Sequence, residues 1–299
     1  MTDREQTANR EAGEILPLEP IDCREMQTAE LKILDSFLDI CEKHRLRYYL
    51  NAGTLLGAVR HQGFIPWDDD IDVCMPRPDY ERFLEIAAKE LAGGLRLHWY
   101  GNQGKDEHLQ YSCQIQDTGL PLVQRIAQQD KETYAWIDVF PLDGMPANPV
   151  KRKIHALRLL YLRAKLQASM FDRNVNIHKK GRPLHERLAI RLITRLKWGS
   201  SGDTYSLMEK LDASLKKYPA DESRYWINFM GAYKTRETMP VSAYGPGAKL
   251  PFEGRDCSVP VNPDAVLSRL YGDYMTPVKP DSSDDGHRLY RRKTDKVVN

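Results

Sequence analysis

Four aspartates fall within five residues at one end of the segment GTLLGAVRHQGFIPWDDDIDV, which spans Gly53–Val73. The letters DIDV beginning at Asp70 alternate polar and apolar residues, which predicts a strand over Asp70–Met75. Side chains alternate across a strand, so Asp70 and Asp72 would share a face, joined by Asp68 if the extended chain began earlier. Carboxylates about 4 Å apart repel by roughly 4 kcal/mol at an effective dielectric near 20, which protons or a cation would relieve. Hard oxygen ligands of this kind suit Mg²⁺, or Mn²⁺.

Gly53 and Thr54 stand between a predicted strand at Arg47–Asn51 and a predicted short helix at Leu55–Arg60. A glycine lets the backbone approach a ligand closely, and the first amides of a helix attract phosphate. A further acid, Asp138, interrupts the apolar run YAWIDVF, where a lone carboxylate is costly without a partner. These features predict a site for a nucleotide phosphate ester, in which Asp138 completes a two-metal site or supplies a base.

The elements that must position these residues form an α/β sheet of mixed direction. Helical periodicity predicts helices at Glu25–His44, Pro78–Leu91, Tyr205–Lys217 and Pro263–Tyr271. Alternation and β-branched or aromatic runs predict further strands at Leu95–Tyr100, Tyr111–Gln116, Pro121–Ile126 and Tyr134–Phe140. Turn-forming residues 117–119 predict a hairpin between the second and third of these strands, and Pro141 is expected to end the fourth.

Composition and charge exclude several classes of protein. The chain has 299 residues, 41% of them hydrophobic and 29% charged, and a formal net charge of +2. This balance is typical of a soluble globular protein. No run of consecutive apolar residues approaches the length of about 18 that a membrane-spanning helix needs. Glycine and proline recur without a period, which excludes collagen-like and low-complexity classes. The polar N-terminal residues and five cysteines without a C-x-x-C pair favour a reducing, cytoplasmic location without a signal peptide.

Residues 151–199 differ from the rest of the chain in charge. Fourteen lysines and arginines stand there against two acids, Asp172 and Glu186, so the segment carries +12. Two amphipathic helical patterns flank a loop at residues 174–183, and the first has Ile154, Leu157 and Tyr161 on its apolar side. The segment is either a solvated face or a dock for an anionic partner, such as a lipid-linked glycan at the inner leaflet of the membrane. No nucleic-acid-binding motif accompanies the charge, so nucleic acid is not an expected partner.

The residues that carry this chemistry resemble the LicD/fukutin-related family of the nucleotidyltransferase fold. The family pattern GTLLGAVRHxGFIPWDDDID is matched almost letter for letter, and WIDVFPLDG, KLPFEG and LYGDYM begin at Trp136, Lys249 and Leu270. The resemblance covers roughly residues 25–280 and implies a nucleotidyltransferase-like mixed β-sheet flanked by helices. The expected organisation is a mobile N-terminal arm (1–20), a catalytic core (21–150), a basic helical insertion (151–199), a part completing the catalytic domain (200–280) and a tail (281–299).

This resemblance implies transfer of a phospho-alcohol, most often phosphocholine, from a CDP-linked donor to a hydroxyl of a cell-surface glycan or its lipid-linked precursor. CMP would be released. By the same resemblance Asp70 and Asp72 would hold Mg²⁺ on the donor diphosphate, and Asp138 would be a further metal ligand or the base. Gly53 and Thr54 would contact phosphate.

Five further residues are candidates for substrate binding, each with a structural alternative. Arg60 contacts phosphate or only neutralises a helix C-terminus, Trp67 stacks on a base or cationic alcohol or only packs, and Asp68 joins the acids or stays solvated. Lys249 and Glu253 bind donor or acceptor, or form an exposed ion pair. Three other functions remain open at this point: a nucleotide-sugar glycosyltransferase, a nucleotidyltransferase with the same metal pair, and an inactive nucleotide-binding module.

Overall fold

A nine-stranded mixed sheet forms the centre of the protein, and a separate two-stranded sheet of residues 248–252 and 255–259 lies beside it. The structure is a computed structural model that describes residues 17–102, 111–126, 129–170, 204–277 and 289–292. The strands are β1 (Leu18–Pro20), β2 (Tyr49–Leu50), β3 (Asp72–Pro76), β4 (Leu95–His98), β5 (Cys113–Ile126), β6 (Gln129–Met145), β7 (Tyr225–Ile227), β8 (Thr238–Pro240), β9 (Ala248–Phe252), β10 (Arg255–Val259) and β11 (Leu289–Arg292).

The main path through the large sheet runs β1-β11-β5-β6-β3-β2, with β4 paired to β5, and β7 paired to β6 and β8. Strands β3 and β6 run parallel, whereas every other pair in the described chain is antiparallel. The predicted α/β class with a mixed sheet flanked by helices is therefore confirmed. The single parallel pair matters most, because both of its strands carry an aspartate of the predicted site.

Seven α-helices accompany the sheet in the described part of the chain: α1 (Cys23–His44), α2 (Ala52–His61), α3 (Arg77–Glu90), α4 (Pro149–Ser169), α5 (Thr204–Leu215), α6 (Val241–Tyr244) and α7 (Pro263–Tyr271). Helix α1 begins two residues earlier than predicted, because the Asp22 side chain accepts hydrogen bonds from the amides of Arg24 and Glu25 and caps it. Its buried face, which includes Leu34 and Phe37, packs into the main core.

The predicted hairpin at residues 117–119 is wrong. Residues 113–126 form one long strand, and the register with β6 shifts between Asp117 and Pro121, so the turn-forming residues make a bulge. The Asp117 carboxylate accepts the amide of Gly119, and the Thr118 amide donates to the carbonyl of Gly94. These bonds satisfy backbone polar groups of the bulge, as the bonds of a hairpin turn would have done. The same residue types therefore fit a bulge and a hairpin turn.

The prediction that Pro141 ends its strand is also wrong, because β6 continues to Met145. The amide of Asp138 donates to the carbonyl of Ile71 on the β3 side, so by alternation the nitrogen of Pro141 faces the opposite edge. On that edge β5 begins at Cys113, opposite Val139, and β7 starts pairing only at Asp143. The proline therefore falls in a gap between two partners, where its missing N–H costs no ladder bond.

Two short strands come from segments expected to lie outside the core. Within the predicted mobile arm, Leu18–Pro20 forms β1, and within the predicted tail, Leu289–Arg292 forms β11; the two pair with each other, and β11 joins β5. Helix α4 accounts for the first half of the predicted basic insertion. The second helical pattern of that insertion lies outside the described residues.

All five cysteines are free thiols; four are buried in the core, and Cys23 is half-buried. A second core lies between α4 and α5 and includes Leu159, Leu211 and Phe229. Within the described ranges, no helix has the length and apolar character that crossing a bilayer requires.

Candidate active site

The parallel pairing of β3 and β6 brings two predicted site acids together. Asp72 is the first residue of β3, and its register partner on β6 is Asp138. Neighbouring strands lie about 4.8 Å apart, and register partners present their side chains on the same face of a sheet. The two aspartates are 66 positions apart in the sequence, yet they are adjacent in the fold.

Asp138 is held by a donor on each carboxylate oxygen. The hydroxyl of Ser112 donates to Oδ1 at 2.9 Å, and the indole Nε1–H of Trp136 donates to Oδ2 at 2.8 Å. Trp136 lies two residues earlier on the same strand face and is only 5% exposed, so its ring is fixed by packing. These bonds orient the carboxylate.

The loop before β3 contributes three more carboxylates. Ligand oxygens of Asp68, Asp69 and Asp70 all lie within 4.8 Å of one another, and the three residues are half-buried. The strand starts at Asp72 rather than at the predicted Asp70, so Asp70 shares the cluster through a loop and not through strand alternation. Helix α1 supports this loop, because the side-chain amide of Gln27 donates to the carbonyl of Asp68 at 2.9 Å.

Burial and like charges raise the pKa of Asp72 well above its usual range. Burial makes the largest contribution, and Asp70, Asp138, Asp68 and Glu237 add to it in that order. Each of these neighbours is an acid, and each disfavours a second negative charge beside it. The site is therefore one that protons or a bound cation must complete.

The turn between β2 and α2 faces the acidic loop. Ala52 has a φ of 43°, in the left-handed region that non-glycine residues seldom adopt, and Asn51 makes no side-chain capping bond to the helix. A Cβ on Gly53 would come within 2.6 Å of Asp68 Oδ2, so only glycine fits there without displacing the carboxylate. The first amides of α2 have no acceptors within the helix, which favours an anion at this end.

Thr54 is buried, and its hydroxyl accepts the amide of Asp72 at 2.8 Å. The bond ties the first turn of α2 to the first residue of β3. The structure thus gives Thr54 a positioning contact with a site acid, whereas its predicted contact with phosphate stays a prediction.

Glu30 is a site residue that the sequence prediction missed. It is 0% exposed, and neither of its carboxylate oxygens has a hydrogen-bond partner. Its pKa is raised well above the usual range, first by burial and then by Asp70, Asp69, Asp68 and Asp72. The signal was present in the helical pattern, since Glu30 stands on the apolar stripe of α1 at an i, i+4 spacing from Met26 and Leu34.

Glu237 was missed as well, and no local pattern distinguishes it. It is 4% exposed, accepts the amide of Tyr233 at 3.0 Å, and lies so close to Gly231 that a Cβ there would come 2.2 Å from its Oε1. Burial, opposed by hydrogen bonds from Tyr233 and Asn228, raises its pKa to about 7. Glu237 is one of the acids that act on Asp72.

The remaining predicted residues lie around this cluster rather than in it. Arg60 is in the last turn of α2, at the opposite end from Gly53, and its guanidinium donates to the carbonyl of Tyr274 at 2.7 Å. Trp67 is half-buried and packs against the main core.

Two predicted residues of the KLPFEG segment make structural contacts. The Lys249 ammonium donates to the carbonyl of Asp256 at 3.3 Å and lies over the ring of Tyr48. The Glu253 carboxylate accepts the amide of Phe64 at 3.3 Å and pairs with Arg24 at 3.4 Å. Arg24 also donates to Gln27, and Gln27 donates to the carbonyl of Asp68. Glu253 is therefore connected to the acidic loop through Arg24 and Gln27.

The donor set fits a hard divalent cation. Asp68, Asp69 and Asp70 form the cluster of ligand oxygens, Asp72 and Asp138 are neighbours across β3 and β6, and Glu30 is buried without a hydrogen-bond partner. Every candidate ligand atom is a carboxylate oxygen. Oxygen ligands with this much negative charge select Mg²⁺, Mn²⁺ or Ca²⁺ over softer metals. Glu30 is buried and neither of its carboxylate oxygens has a hydrogen-bond partner, which is the observation that makes a cation fit.

Comparison with known proteins decides the family. The family model described as LicD/FKTN/FKRP, nucleotidyltransferase domain, matches residues 45–146. The lipopolysaccharide cholinephosphotransferase LicD of Haemophilus influenzae is 30% identical over 269 residues, which are 89% of this chain and 96% of that protein. The chain belongs to the LicD family. The matched LicD domain contains Asp138 and all acids of the loop, whereas Glu30 and Glu237 lie outside it.

Two shorter matches concern uncharacterised proteins of Rickettsia. The protein of Rickettsia typhi is 41% identical over 59 residues, 20% of this chain and 19% of its own length. That of Rickettsia prowazekii is 49% identical over 48 residues, 16% of this chain and 18% of its own length. These matches are too short to carry a functional argument.

Proposed function

We propose that this LicD-family protein transfers a phospho-alcohol from a CDP-linked donor to a hydroxyl of a cell-surface glycan or its lipid-linked precursor. A bond forms between the acceptor oxygen and the phosphorus that carries the alcohol. The bond from that phosphorus to the bridging oxygen breaks, CMP leaves with that oxygen, and the hydroxyl proton passes to a base. Phosphocholine is the proposed group, and the similarity to the lipopolysaccharide cholinephosphotransferase of Haemophilus supports both the group and a glycan acceptor.

The observation that carries the proposal is the register of β3 and β6, which makes Asp72 and Asp138 neighbours beside the acidic loop. Asp70 and Asp72 would hold Mg²⁺, with Mn²⁺ as a substitute. When bound, the cation neutralises charge on the donor diphosphate and on the oxygens of the transition state. Positioning and charge stabilisation supply most of the rate enhancement in phosphoryl transfer.

The chain's own groups would do the rest of the work. The first amides of α2, around Gly53, would bind a donor phosphate, and the Thr54 hydroxyl would keep Asp72 in place. Asp138, fixed by Ser112 and Trp136, would accept the proton of the acceptor hydroxyl or act as a third ligand. Asp138→Asn is expected to abolish turnover in either role, and retained activity would remove Asp138 from the site.

A panel of donors tests the function. CDP-choline, CDP-ethanolamine, CDP-ribitol and CDP-glycerol are each incubated with the protein, Mg²⁺ and a lipopolysaccharide or glycan acceptor, and the product glycan is analysed by mass spectrometry. Release of CMP together with addition of one phospho-alcohol supports the proposal. Release of pyrophosphate indicates a nucleotidyltransferase, and release of a nucleoside diphosphate from nucleotide sugars indicates a glycosyltransferase. Binding of the donors without any turnover indicates an inactive module.

Asp70→Asn and Asp72→Asn test the site. Each is expected to lower kcat by at least about a thousandfold, because it removes a charge that positions the cation. Tm in EDTA should stay the same or rise, since the change also removes like-charge repulsion. Asp256→Asn, at an exposed position of β10, is the matched control and should leave kcat unchanged. A large fall in Tm for both site variants would instead indicate that the acids stabilise the fold.

A further inference from the structure

Helix α4 has apolar residues on two opposite faces. One face packs on α5 in the second core and includes Leu159 and Leu166, which are 0% and 1% exposed. The other face points to solvent and carries a stripe of four large apolar side chains, which are Val150, Ile154, Leu157 and Tyr161. Their spacing of four, three and four residues places them in one line along three turns. The sequence pattern identified an apolar side here, and the structure shows that this side is not the one in the core.

The exposure of this stripe is unusual for a monomeric soluble protein. The four side chains are 65%, 63%, 58% and 59% exposed, and they are four of the six strongly exposed large apolar residues in the described chain. Single exposed apolar residues are normal, but a continuous line of them marks a contact surface.

The charged residues of helix α4 are all positive. Helix α4 contains no aspartate or glutamate. Two of its six cations, Arg152 and Arg163, donate to backbone carbonyls of the protein. The other four flank the stripe and form no ion pair with any described residue: Lys151, Lys153, Arg158 and Lys165. The Lys165 ammonium lies 5.6 Å from the ring of Tyr161, so the aromatic residue of the stripe has a cation next to it.

We propose that α4 is a docking surface for an anionic membrane, on which the helix lies in the plane of the interface. The stripe would enter the boundary between head groups and acyl chains, and the flanking lysines and Arg158 would contact anionic head groups. A tyrosine on such a face suits this depth, because its ring is apolar and its hydroxyl stays in the polar layer.

A second copy of the chain is a poorer occupant for the same surface. A symmetric contact between two stripes would bring the four flanking cations of each copy together, with no acid on α4 to compensate them. An anionic lipid surface supplies the missing negative charge and the apolar phase together. Charge complementarity therefore selects the membrane.

The position of the helix also links the membrane to the site. On the inner face of α4, Arg163 donates to the carbonyls of Phe229 and Gly231 at 2.5 and 3.0 Å. The same loop contacts Glu237, which acts on Asp72. A docked α4 would hold the acidic site close to a lipid-linked acceptor. This last link rests on the proposed function, whereas the membrane contact does not.

Vesicle co-sedimentation of the full chain, without donor or acceptor, tests the contact independently of catalysis. Vesicles of about equal parts phosphatidylglycerol and phosphatidylcholine should bind the protein, and pure phosphatidylcholine should bind it far more weakly. The double variant Ile154→Ser/Leu157→Ser should weaken partitioning at least about tenfold. Lys151→Gln/Arg158→Gln should weaken it roughly thirtyfold at low salt and little at high salt. Val261→Ser/Met275→Ser removes exposed apolar residues elsewhere and should change nothing.

Two results would overturn the proposal. One is binding to anionic vesicles that the stripe variant leaves unchanged. The other is a wild-type chain that fails to bind vesicles but is dimeric by light scattering and becomes monomeric in Ile154→Ser/Leu157→Ser. Transfer to a soluble glycan acceptor should be the same in all variants, so loss of transfer in every protein would refute the proposed function and leave the vesicle result intact.

Discussion

Glu30 lies in the interior of the protein, and neither of its carboxylate oxygens has a hydrogen-bond partner. Burial, followed by the acids of the loop, raises its pKa well above the usual range. Burying a carboxylate in this way is unfavourable unless a proton or a cation accompanies it. We therefore propose that Glu30 supports the cation that the loop acids are proposed to hold.

Glu30→Gln should lower the affinity for Mn²⁺ by about tenfold or more, because supporting carboxylates at metal sites contribute on this scale. The measurement is Mn²⁺ titration followed by electron paramagnetic resonance. In EDTA the variant should be as stable as the wild type or more stable, since the amide needs no counter-charge. Asp39→Asn, on the exposed face of the same helix, is the control. Unchanged Mn²⁺ affinity would show that Glu30 is a buried neutral acid with a structural role only.

Glu237 should make stability depend on pH in a definite direction. Its pKa is about 7 in the folded chain against an ordinary 4.5, so the folded state binds the extra proton between these values. The contribution of Glu237 to the free energy of unfolding is therefore fully present below pH 4.5. It is lost as the pH rises to about 7, by about 3 kcal/mol. Glu237→Gln lacks this titration.

Urea unfolding of both proteins in EDTA at a series of pH values measures the difference. The wild type should lose stability relative to Glu237→Gln across this window, and the difference should be constant above about pH 8. Arg163 and Asp72 also face the region, but both are present in each protein and their effects cancel to first order. Two curves that stay parallel from pH 4.5 to pH 7 would contradict the raised pKa.

At the scale of elements, the approach of α2 to the acidic loop depends on Gly53. Gly53→Ala would bring a methyl group within 2.6 Å of Asp68 Oδ2 and displace that carboxylate. We expect kcat/KM to fall by about a hundredfold, because a shift of about 1 Å in a positioned group has effects of this size. Gly93→Ala is the control, since nothing lies within 4 Å of the added methyl group. Equal activity of the two variants would mean that α2 need not approach Asp68 closely.

The sequence predicts secondary structure well where a hydrophobic pattern is compatible with only one kind of element. The long helix at Glu25–His44 has a continuous apolar stripe, and only its first two residues were missed. Residues 117–119 and Pro141 were misassigned because turn residues and proline are local signals, whereas their outcome depends on neighbouring strands. A bulge against β6 and a gap between β5 and β7 are tertiary facts that the local sequence does not contain.

The acids of the site show the same division. The sequence predicts that Asp138 completes the site of Asp70 and Asp72, because a lone acid in an apolar strand needs a partner. The register of β3 and β6 makes Asp72 and Asp138 neighbours, and their role in a site stays a prediction. Glu237 could not be predicted, because its burial is created by the loop at Asn228–Gly231 folding over it. The acidic loop likewise depends on α1, because Gln27, which donates to the carbonyl of Asp68, lies 41 residues earlier in the chain.

At the scale of the whole molecule, the sheet core and the helical core meet at one buried ion cluster. Arg77, at the start of α3, binds Asp143 of β6 through two bonds of 2.6 and 2.8 Å, and Asp212 of α5 at 3.2 Å. The hydroxyl of Tyr111 bonds to both Arg77 and Asp212. Arg77 is 7% and Asp143 1% exposed, so these charges have almost no access to water.

Arg77→Leu should destabilise the protein by about 3–5 kcal/mol, because it leaves Asp143 buried without its counter-charge. Thermal unfolding should show a fall in Tm of about 2–4 °C per kcal/mol for a protein of this size class. The double variant Arg77→Leu/Asp143→Leu should recover most of the loss, since it removes the stranded charge and keeps apolar volume. Arg47→Leu, which breaks an exposed ion pair with Asp79 and Asp221, should cost less than about 1 kcal/mol. If the double variant were as unstable as the single one, packing of the Arg77 side chain, and not charge pairing, would join the two cores.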